Sequence, residues 1–90
     1  MDLGVAVYNI TSIFIGINEN IHRSEHGWYE TEKKARKAFR KLVRKTCDEG
    51  TLYRQAMGQR SMFCYIHSLV YVDPHQPWKR RCIEREYIEY

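Results

Sequence analysis

The chain contains few of the residues that build specialised sites: five glycines, two prolines and three cysteines among its 90 residues. The glycines are isolated from one another, so no glycine-rich loop is present to cradle a phosphate. The cysteines, at Cys47, Cys64 and Cys82, are odd in number and contain no CxxC pair. This spacing predicts reduced thiols and a cytoplasmic location, and it argues against a disulfide framework.

A long apolar run is also missing. The most apolar stretch, residues 5–17, is interrupted by polar side chains and is too short to span a bilayer. The opening Met1-Asp2-Leu3-Gly4 lacks the basic region of a secretory signal. We therefore expect a soluble protein that has no membrane partner.

Groups suited to catalysis or metal binding are equally scarce. Residues 22–26 match the H-x-x-E-H pattern of a class of zinc peptidases, which requires both histidines on one helix. The polar stretch around them, residues 18–27, predicts a loop instead. Cys64 and His67 lie three residues apart in a predicted strand, so their side chains would point to opposite faces. We expect no enzyme activity, no cofactor and no metal site.

The size and composition predict one folded domain over residues 1–90. Ninety residues allow one thin core, and 43% hydrophobic with 13% aromatic residues is typical of a globular chain. Hydrophobic periodicity predicts, in order, a strand, a polar loop, a helix, a short second helix and two further strands. These elements occupy residues 5–17, 18–27, 31–50, 51–57, 61–72 and 78–90.

The last segment is ambiguous, because its apolar residues fit a strand or a helical stripe. The proline-containing loop before it favours a strand that returns antiparallel to residues 61–72. The predicted fold is therefore α+β, in the order β-α-(α)-β-β. It consists of a three-stranded antiparallel sheet packed on one main amphipathic helix.

The main helix has the clearest pattern in the chain. Thr31 is suited to the N-cap, and Gly50 is suited to the left-handed conformation that ends a helix. Between them, apolar and small side chains recur at helical spacing and share one arc of the helix. They are Ala35, Ala38, Phe39, Leu42, Val43 and Thr46.

The opposite arc of this helix carries eight cationic side chains, which span roughly 18 Å along the axis. These residues, the basic stripe, are Lys33, Lys34, Arg36, Lys37, Arg40, Lys41, Arg44 and Lys45. Residues 31–47 contain these eight bases and a single acid, although the whole chain has a net charge of only +4. We predict that the basic stripe binds an anionic partner, either nucleic acid or an acidic protein surface.

The alternative interpretation is an ordinary solvated helix face, because lysine and arginine are good helix formers. Two features argue against it. Like charges recur four residues apart, as in Lys33, Lys37 and Lys41, at a cost of about 0.2–0.5 kcal/mol per pair. In addition, Lys33 and Lys34 lie in the first turn, where the helix dipole disfavours cations.

A second, smaller basic cluster follows the proline-containing loop. Lys79, Arg80 and Arg81 stand next to Trp78, so the cations could contact phosphates while the indole stacks on a base. The alternative is that Trp78 covers the core as a lid. The sequence contains no RNA-recognition motif, zinc-finger spacing or recognisable helix-turn-helix, so it gives no support to sequence-specific binding.

Three hypotheses of function remain open. The first is a non-enzymatic binding protein that engages nucleic acid, or the nucleic-acid groove of a larger machine, through the basic stripe. The second is an inhibitor or adaptor that binds protein, for example a phage-encoded blocker of a host defence or transcription complex. The third is a sponge for small phosphorylated ligands, acting as a homo-oligomer with pooled basic faces. These hypotheses predict binding to generic oligonucleotides, to a protein partner and to mononucleotides, respectively.

Overall fold

The computed structural model describes residues 5–16, 20–58 and 63–89, which form four strands and one helix. The elements are β1 (Tyr8–Ile15), β2 (Ile21–Tyr29), α1 (Glu32–Met57), β3 (Cys64–Val72) and β4 (Arg80–Glu89). The predicted α+β class is confirmed. The predicted strand count is wrong, because the described residues form a sheet of four strands and not three.

All neighbouring strands of the sheet are antiparallel, in the order β2-β1-β3-β4. β1 lies in the middle and pairs with β2 on one side and with β3 on the other. β4 pairs with β3 along its length, so the ambiguous segment after residue 78 is a strand, as the sequence favoured. Ile17, Ser61, Met62 and Tyr90, at the ends of the predicted strands, lie outside the described residues.

β2 replaces the loop predicted at residues 18–27. It is an edge strand whose first six side chains, from Ile21 to His26, are all exposed, so no apolar alternation marks it in the sequence. The ladder to β1 holds it in place, and a register shift lies between Ile10 and Thr11. Beside the shift, Asn9 Nδ2 donates a hydrogen bond of 3.1 Å to the carbonyl oxygen of Gly27, which has a φ of 144°. Residues 18 and 19 of the predicted loop lie outside the described ranges.

The helix begins as predicted and ends later than predicted. Thr31 caps it, and its hydroxyl accepts a hydrogen bond of 3.2 Å from the backbone N–H of Lys34. α1 then runs through Gly50 to Met57, so the predicted stop and the separate second helix are both wrong. One glycine inside a helix costs only about 1 kcal/mol, too little to end a helix that the core stabilises. Gly58, with a φ of 70°, is the left-handed residue that ends it.

The core lies between α1 and one face of the sheet. Its centre is formed by Ile10 of β1, Leu69 of β3, and Ala35 and Phe39 of α1, all buried. Partly buried side chains surround this centre, namely Tyr8, Tyr29, Ala38, Leu42, Val43 and Ile83. In the described ranges, no helix is long and apolar enough to cross a membrane.

Candidate nucleic-acid interface

The basic stripe lies on the side of α1 that faces away from the sheet. Because Ala35, Phe39, Thr46 and Gly50 are the buried residues of the helix, the arc opposite them faces solvent. Seven of the eight cations of the stripe are exposed, and Arg36 is half-buried. Six of the eight line a shallow groove of about 600 Å³ along the helix. They are Lys33, Arg36, Lys37, Arg40, Lys41 and Arg44.

Arg36 has a different environment from the rest of the stripe. Its Nη1 lies 2.6 Å from Glu84 Oε1 on β4, and its Nε lies 3.2 Å from Glu32 Oε2 one turn earlier in α1. Glu84, on a strand, thus pairs with a residue of the helix. Arg36 therefore ties α1 to the edge of the sheet, and two carboxylates compensate its charge.

Two acidic residues of β4 border the stripe on one side. Glu84 and Glu86 of β4 line a concavity of about 300 Å³ together with Arg40 and Arg44. The opposite side of α1 faces β2, where Lys41 and Lys45 lie beside His26. The negative charge therefore lies along the β4 edge, and the lysines of the outer and β2-facing sides point into solvent.

Within the described parts of the chain, the seven exposed cations of the stripe form no salt bridge. No described carboxylate pairs with these seven cations at salt-bridge distance, so an anion that neutralised several of them would relieve their mutual repulsion. Such an uncompensated row of cations is the electrostatic footprint expected of a phosphate-binding surface.

The second basic cluster lies where β4 begins. Trp78 is 75% exposed, so its alternative role as a lid over the core is excluded. The guanidinium carbon of Arg81 lies 5.7 Å from the centre of the Tyr71 ring, and the Tyr71 and Tyr8 rings lie 5.4 Å apart. These contacts place an arginine over an aromatic pair, and Trp78 is not among the residues that line the concavity around them.

Strand register brings the two basic clusters to the same end of the molecule. Tyr8 pairs with Tyr29 on β2 and with Tyr71 on β3, and Tyr71 pairs with Arg81 on β4. The four residues thus form one row across the sheet, with the backbones of Tyr29 and Arg81 about 14 Å apart at three strand spacings. α1 begins at Glu32, three residues after Tyr29, so the stripe begins near this row.

Tyr8 and Tyr71 were not identified from the sequence as members of this surface. They are 63 residues apart in the chain, and only the pairing of β1 with β3 brings them together. Their one signal in the sequence was the high number of tyrosines, seven in all. That count suits half-buried sheet faces and contact surfaces alike, and it does not indicate which tyrosines meet.

A buried chain of polar side chains, also missed in the sequence, joins the sheet to the helix. Ser12 Oγ lies 2.6 Å from His26 Nε2 and 2.5 Å from His67 Nδ1. His67 Nε2 lies 2.8 Å from Thr46 Oγ1, and the Thr46 hydroxyl donates to the carbonyl oxygen of Leu42. Because Thr46 uses its proton on Leu42, it accepts from His67 Nε2–H, which leaves Nδ1 to accept the proton of Ser12.

This arrangement resembles a nucleophile paired with a base, but its burial assigns it a structural role. Ser12 is 3% exposed and His67 is 1% exposed, so a substrate has no access to the hydroxyl. Desolvation by burial, with a smaller effect from His26, lowers the pKa of His67 to about 4. His67 is therefore neutral near pH 7, so one ring nitrogen can accept a hydrogen bond while the other donates.

The H-x-x-E-H segment lies on β2 and not on a helix, so its histidines lack the helical spacing that zinc peptidases need. The His22 ring stacks on Phe14 at 6.1 Å, while His26 points to Ser12. Across residues 5–16, 20–58 and 63–89, no group of three or more potential ligands could hold a metal ion.

Comparison with known proteins finds no matching family model, curated protein or solved structure. The charges, contacts and exposure of this chain are therefore the basis for assigning a function. The feature that stands out is the concentration of cations on α1 and at the start of β4.

Proposed function

We propose that this protein is a non-enzymatic nucleic-acid-binding protein that contacts the phosphate backbone through the basic stripe of α1. The observation that carries the proposal is the row of seven exposed cations with no salt bridge in the described parts of the chain. A stripe of roughly 18 Å reaches about five phosphates of one strand, which lie about 3.4 Å apart along a duplex axis.

The chemistry of the stripe favours backbone contacts over base reading. Lysine is a flexible point charge suited to phosphate, and five of the eight stripe residues are lysines. Base reading by a helix uses asparagine, glutamine or arginine held rigidly against base edges. The most rigidly held cation of the stripe, Arg36, is instead bound to Glu32 and Glu84. Binding that depends strongly on salt and weakly on sequence follows from this composition.

The shape of α1 suits a duplex groove. An α-helix with its side chains is about 10–12 Å wide, and the major groove of B-form DNA is about 12 Å wide. Because α1 lies on the sheet with its charged arc outward, that arc can approach a groove without displacing any strand.

The test is a fluorescence-anisotropy titration of a labelled 20-base-pair duplex over a series of salt concentrations. If the seven exposed cations all contact phosphates, the slope of log K against log salt is about −6, and four contacts give about −4. A double variant, Lys37→Gln with Arg44→Gln, removes two outward charges and should reduce the steepness by about 2.

The matched control is Arg23→Gln with Arg54→Gln, which removes the same charge from exposed positions on β2 and in the last turn of α1. This control should keep a slope close to that of the unmodified protein. Absence of duplex binding at about 50 mM salt, where such contacts are strong, would refute the proposal. Equal losses in the two double variants would show that only net charge matters and would refute the role of the stripe.

The two other hypotheses predict different outcomes in the same assay. An inhibitor or adaptor for an acidic protein surface would leave oligonucleotides unbound, and its acidic partner would bind the stripe instead. A sponge for phosphorylated ligands would bind mononucleotides as tightly, per site, as it binds a duplex. Competition by excess mononucleotide therefore separates the third hypothesis from the first.

A further inference from the structure

A concave site lies at the end of the sheet where β4 begins. Its volume is about 460 Å³, within the range of pockets that hold small ligands. We refer to it as the tyrosine pocket; its lining residues are Tyr8, Tyr71, Asp73, Lys79, Arg80 and Arg81. Both tyrosines are half-buried, and the three cations are exposed.

Most of the pocket lies on the face of the sheet that carries α1, whereas Arg80 alternates with Arg81 and also lines a concavity with Asn9 and Thr11 on the other face. Tyr8 stands two residues before Ile10, and Tyr71 stands two residues after Leu69, so each shares a face with a core residue that α1 covers. Arg81 pairs directly with Tyr71 and therefore projects from the same face. A strand that lies along the outward arc of α1 can thus reach the pocket without crossing to the other side of the sheet.

The lining groups suit a planar anionic ligand. Unpaired bases stack on tyrosine rings and on the planes of arginine guanidinium groups, and here Arg81 lies 5.7 Å over Tyr71. Lys79 and Arg80 supply the charge for a phosphate. The one acid, Asp73, accepts a hydrogen bond of 2.9 Å from the backbone N–H of His75, so its carboxylate is already engaged by the turn.

We infer that the tyrosine pocket binds one unpaired nucleobase, with the attached phosphate held by Lys79 and Arg80, at the end of a strand whose remainder lies along the basic stripe. This inference rests on the proposed function for the path of that strand. It adds a preference for unpaired bases, which the stripe alone does not give, because a base stacked in a duplex has no free face that could stack in the pocket. The protein should therefore prefer a duplex with a single-stranded overhang to a blunt duplex.

The experiment compares a blunt duplex with the same duplex carrying an overhang of three bases, in which the fluorescent base 2-aminopurine reports stacking. Stacking of a base on an aromatic side chain strengthens binding by roughly five- to 100-fold. We expect the overhang to raise affinity by a factor in this range and to quench the 2-aminopurine. Tyr71→Leu should abolish both the gain in affinity from the overhang and the quenching.

The control is Tyr87→Leu, which removes an exposed tyrosine from β4 outside the pocket and should preserve the overhang preference. Equal affinity for the two duplexes without quenching would overturn the inference and leave the proposed function intact. A 2-aminopurine trinucleotide, too short to cover the stripe, tests the pocket alone. If neither duplex binds, the trinucleotide decides the matter. Quenching of its 2-aminopurine by the wild type but not by Tyr71→Leu would support the pocket, and no quenching by the wild type would refute it.

Discussion

The imidazole of His67 on β3 and the hydroxyl of Thr46 on α1 are joined by a hydrogen bond of 2.8 Å. Both side chains are buried, but neither belongs to the apolar centre formed around Phe39. It continues through Ser12 to His26, so one chain of hydrogen bonds crosses from α1 through β3 and β1 to the edge strand β2. This polar connection fixes the position of the helix over the sheet, and thereby the direction of the basic stripe.

Replacing Thr46 by valine should destabilise the protein by about 1–3 kcal/mol, because it leaves His67 Nε2–H buried without an acceptor. Thr51 provides the matched control. Its hydroxyl makes the same bond to the carbonyl four residues earlier, at 3.0 Å to Cys47, but it is exposed. Thr51→Val should change the free energy of unfolding by less than about 0.5 kcal/mol. Urea unfolding of both variants measures the difference, and equal effects would contradict the role given to Thr46.

Stability should fall in acid because of His67. Its pKa is about 4 in the folded protein, mainly because burial disfavours its charge, against an ordinary 6.5 in the unfolded chain. Above pH 6.5 neither state binds the proton and the effect is absent. Between 6.5 and 4 the unfolded chain binds a proton that the folded chain excludes, so stability declines as the pH falls through this window. The total loss is about 3 kcal/mol at 1.4 kcal/mol per pH unit.

The measurement is the free energy of unfolding in urea at pH 7 and pH 4.5 for the wild type and His67→Gln. The variant should be less stable at pH 7 and should lose about 2–3 kcal/mol less than the wild type between the two values. His75→Gln, in an exposed turn, is the control and should follow the wild type. The ionisable neighbours of His67, which are His26 on β2 and Glu86 on β4, remain in every variant and cancel in the comparison. Parallel curves of unfolding free energy against pH for the wild type and His67→Gln would show that His67 does not cause the loss of stability in acid.

Phe39 is the side chain on which the packing of α1 most depends. It is the largest residue of the buried centre, and Phe39→Ala should cost about 3–5 kcal/mol by leaving a cavity. Leu52 lies on the same helix but is 65% exposed, so Leu52→Ala should cost less than about 1 kcal/mol. Thermal unfolding monitored by circular dichroism distinguishes them. A similar drop in the two melting temperatures would mean that α1 packs on the sheet through another set of residues.

The sequence predicted α1 and its charged arc well because both follow from local periodicity. Thr31, Phe39 and the eight cations repeat at helical spacing, and a helix needs no distant partner to reveal its faces. Gly50 misled the prediction because the conformational preference of one residue is weak against the burial around it. The observed stop at Gly58 directly follows residues 51–57, which were predicted as a separate helix.

β2 and the sites that depend on strand pairing could not be predicted in the same way. β2 is held by backbone hydrogen bonds to β1, and its exposed side chains carry no alternating pattern. The tyrosine pocket needs the register of three strands to join Tyr8, Tyr71 and Arg81. The hydrogen bonds of His67 likewise join residues 21 and 55 positions apart. Such contacts depend on which strands pair and in which register, and local sequence patterns do not reveal that pairing.

Arg36 and Lys37 are neighbours in the basic stripe, and the structure predicts opposite consequences for their replacement. Arg36 is bound to Glu32 and Glu84 with its side chain 32% exposed, so Arg36→Gln should reduce stability by up to about 1 kcal/mol. Lys37 points outward between Lys33 and Lys41, so Lys37→Gln relieves repulsion and should raise stability by a few tenths of a kcal/mol.

The effects of these two substitutions on nucleic-acid binding should be reversed. Lys37→Gln should reduce the steepness of the salt dependence by about 1, because one phosphate contact is lost. Arg36→Gln should reduce it by clearly less, since two carboxylates already compensate that charge. The two variants differ from the wild type by the same net charge, so the salt series separates position from charge. Equal slopes for both would mean that Arg36 leaves Glu84 on binding and joins the contacts to phosphate.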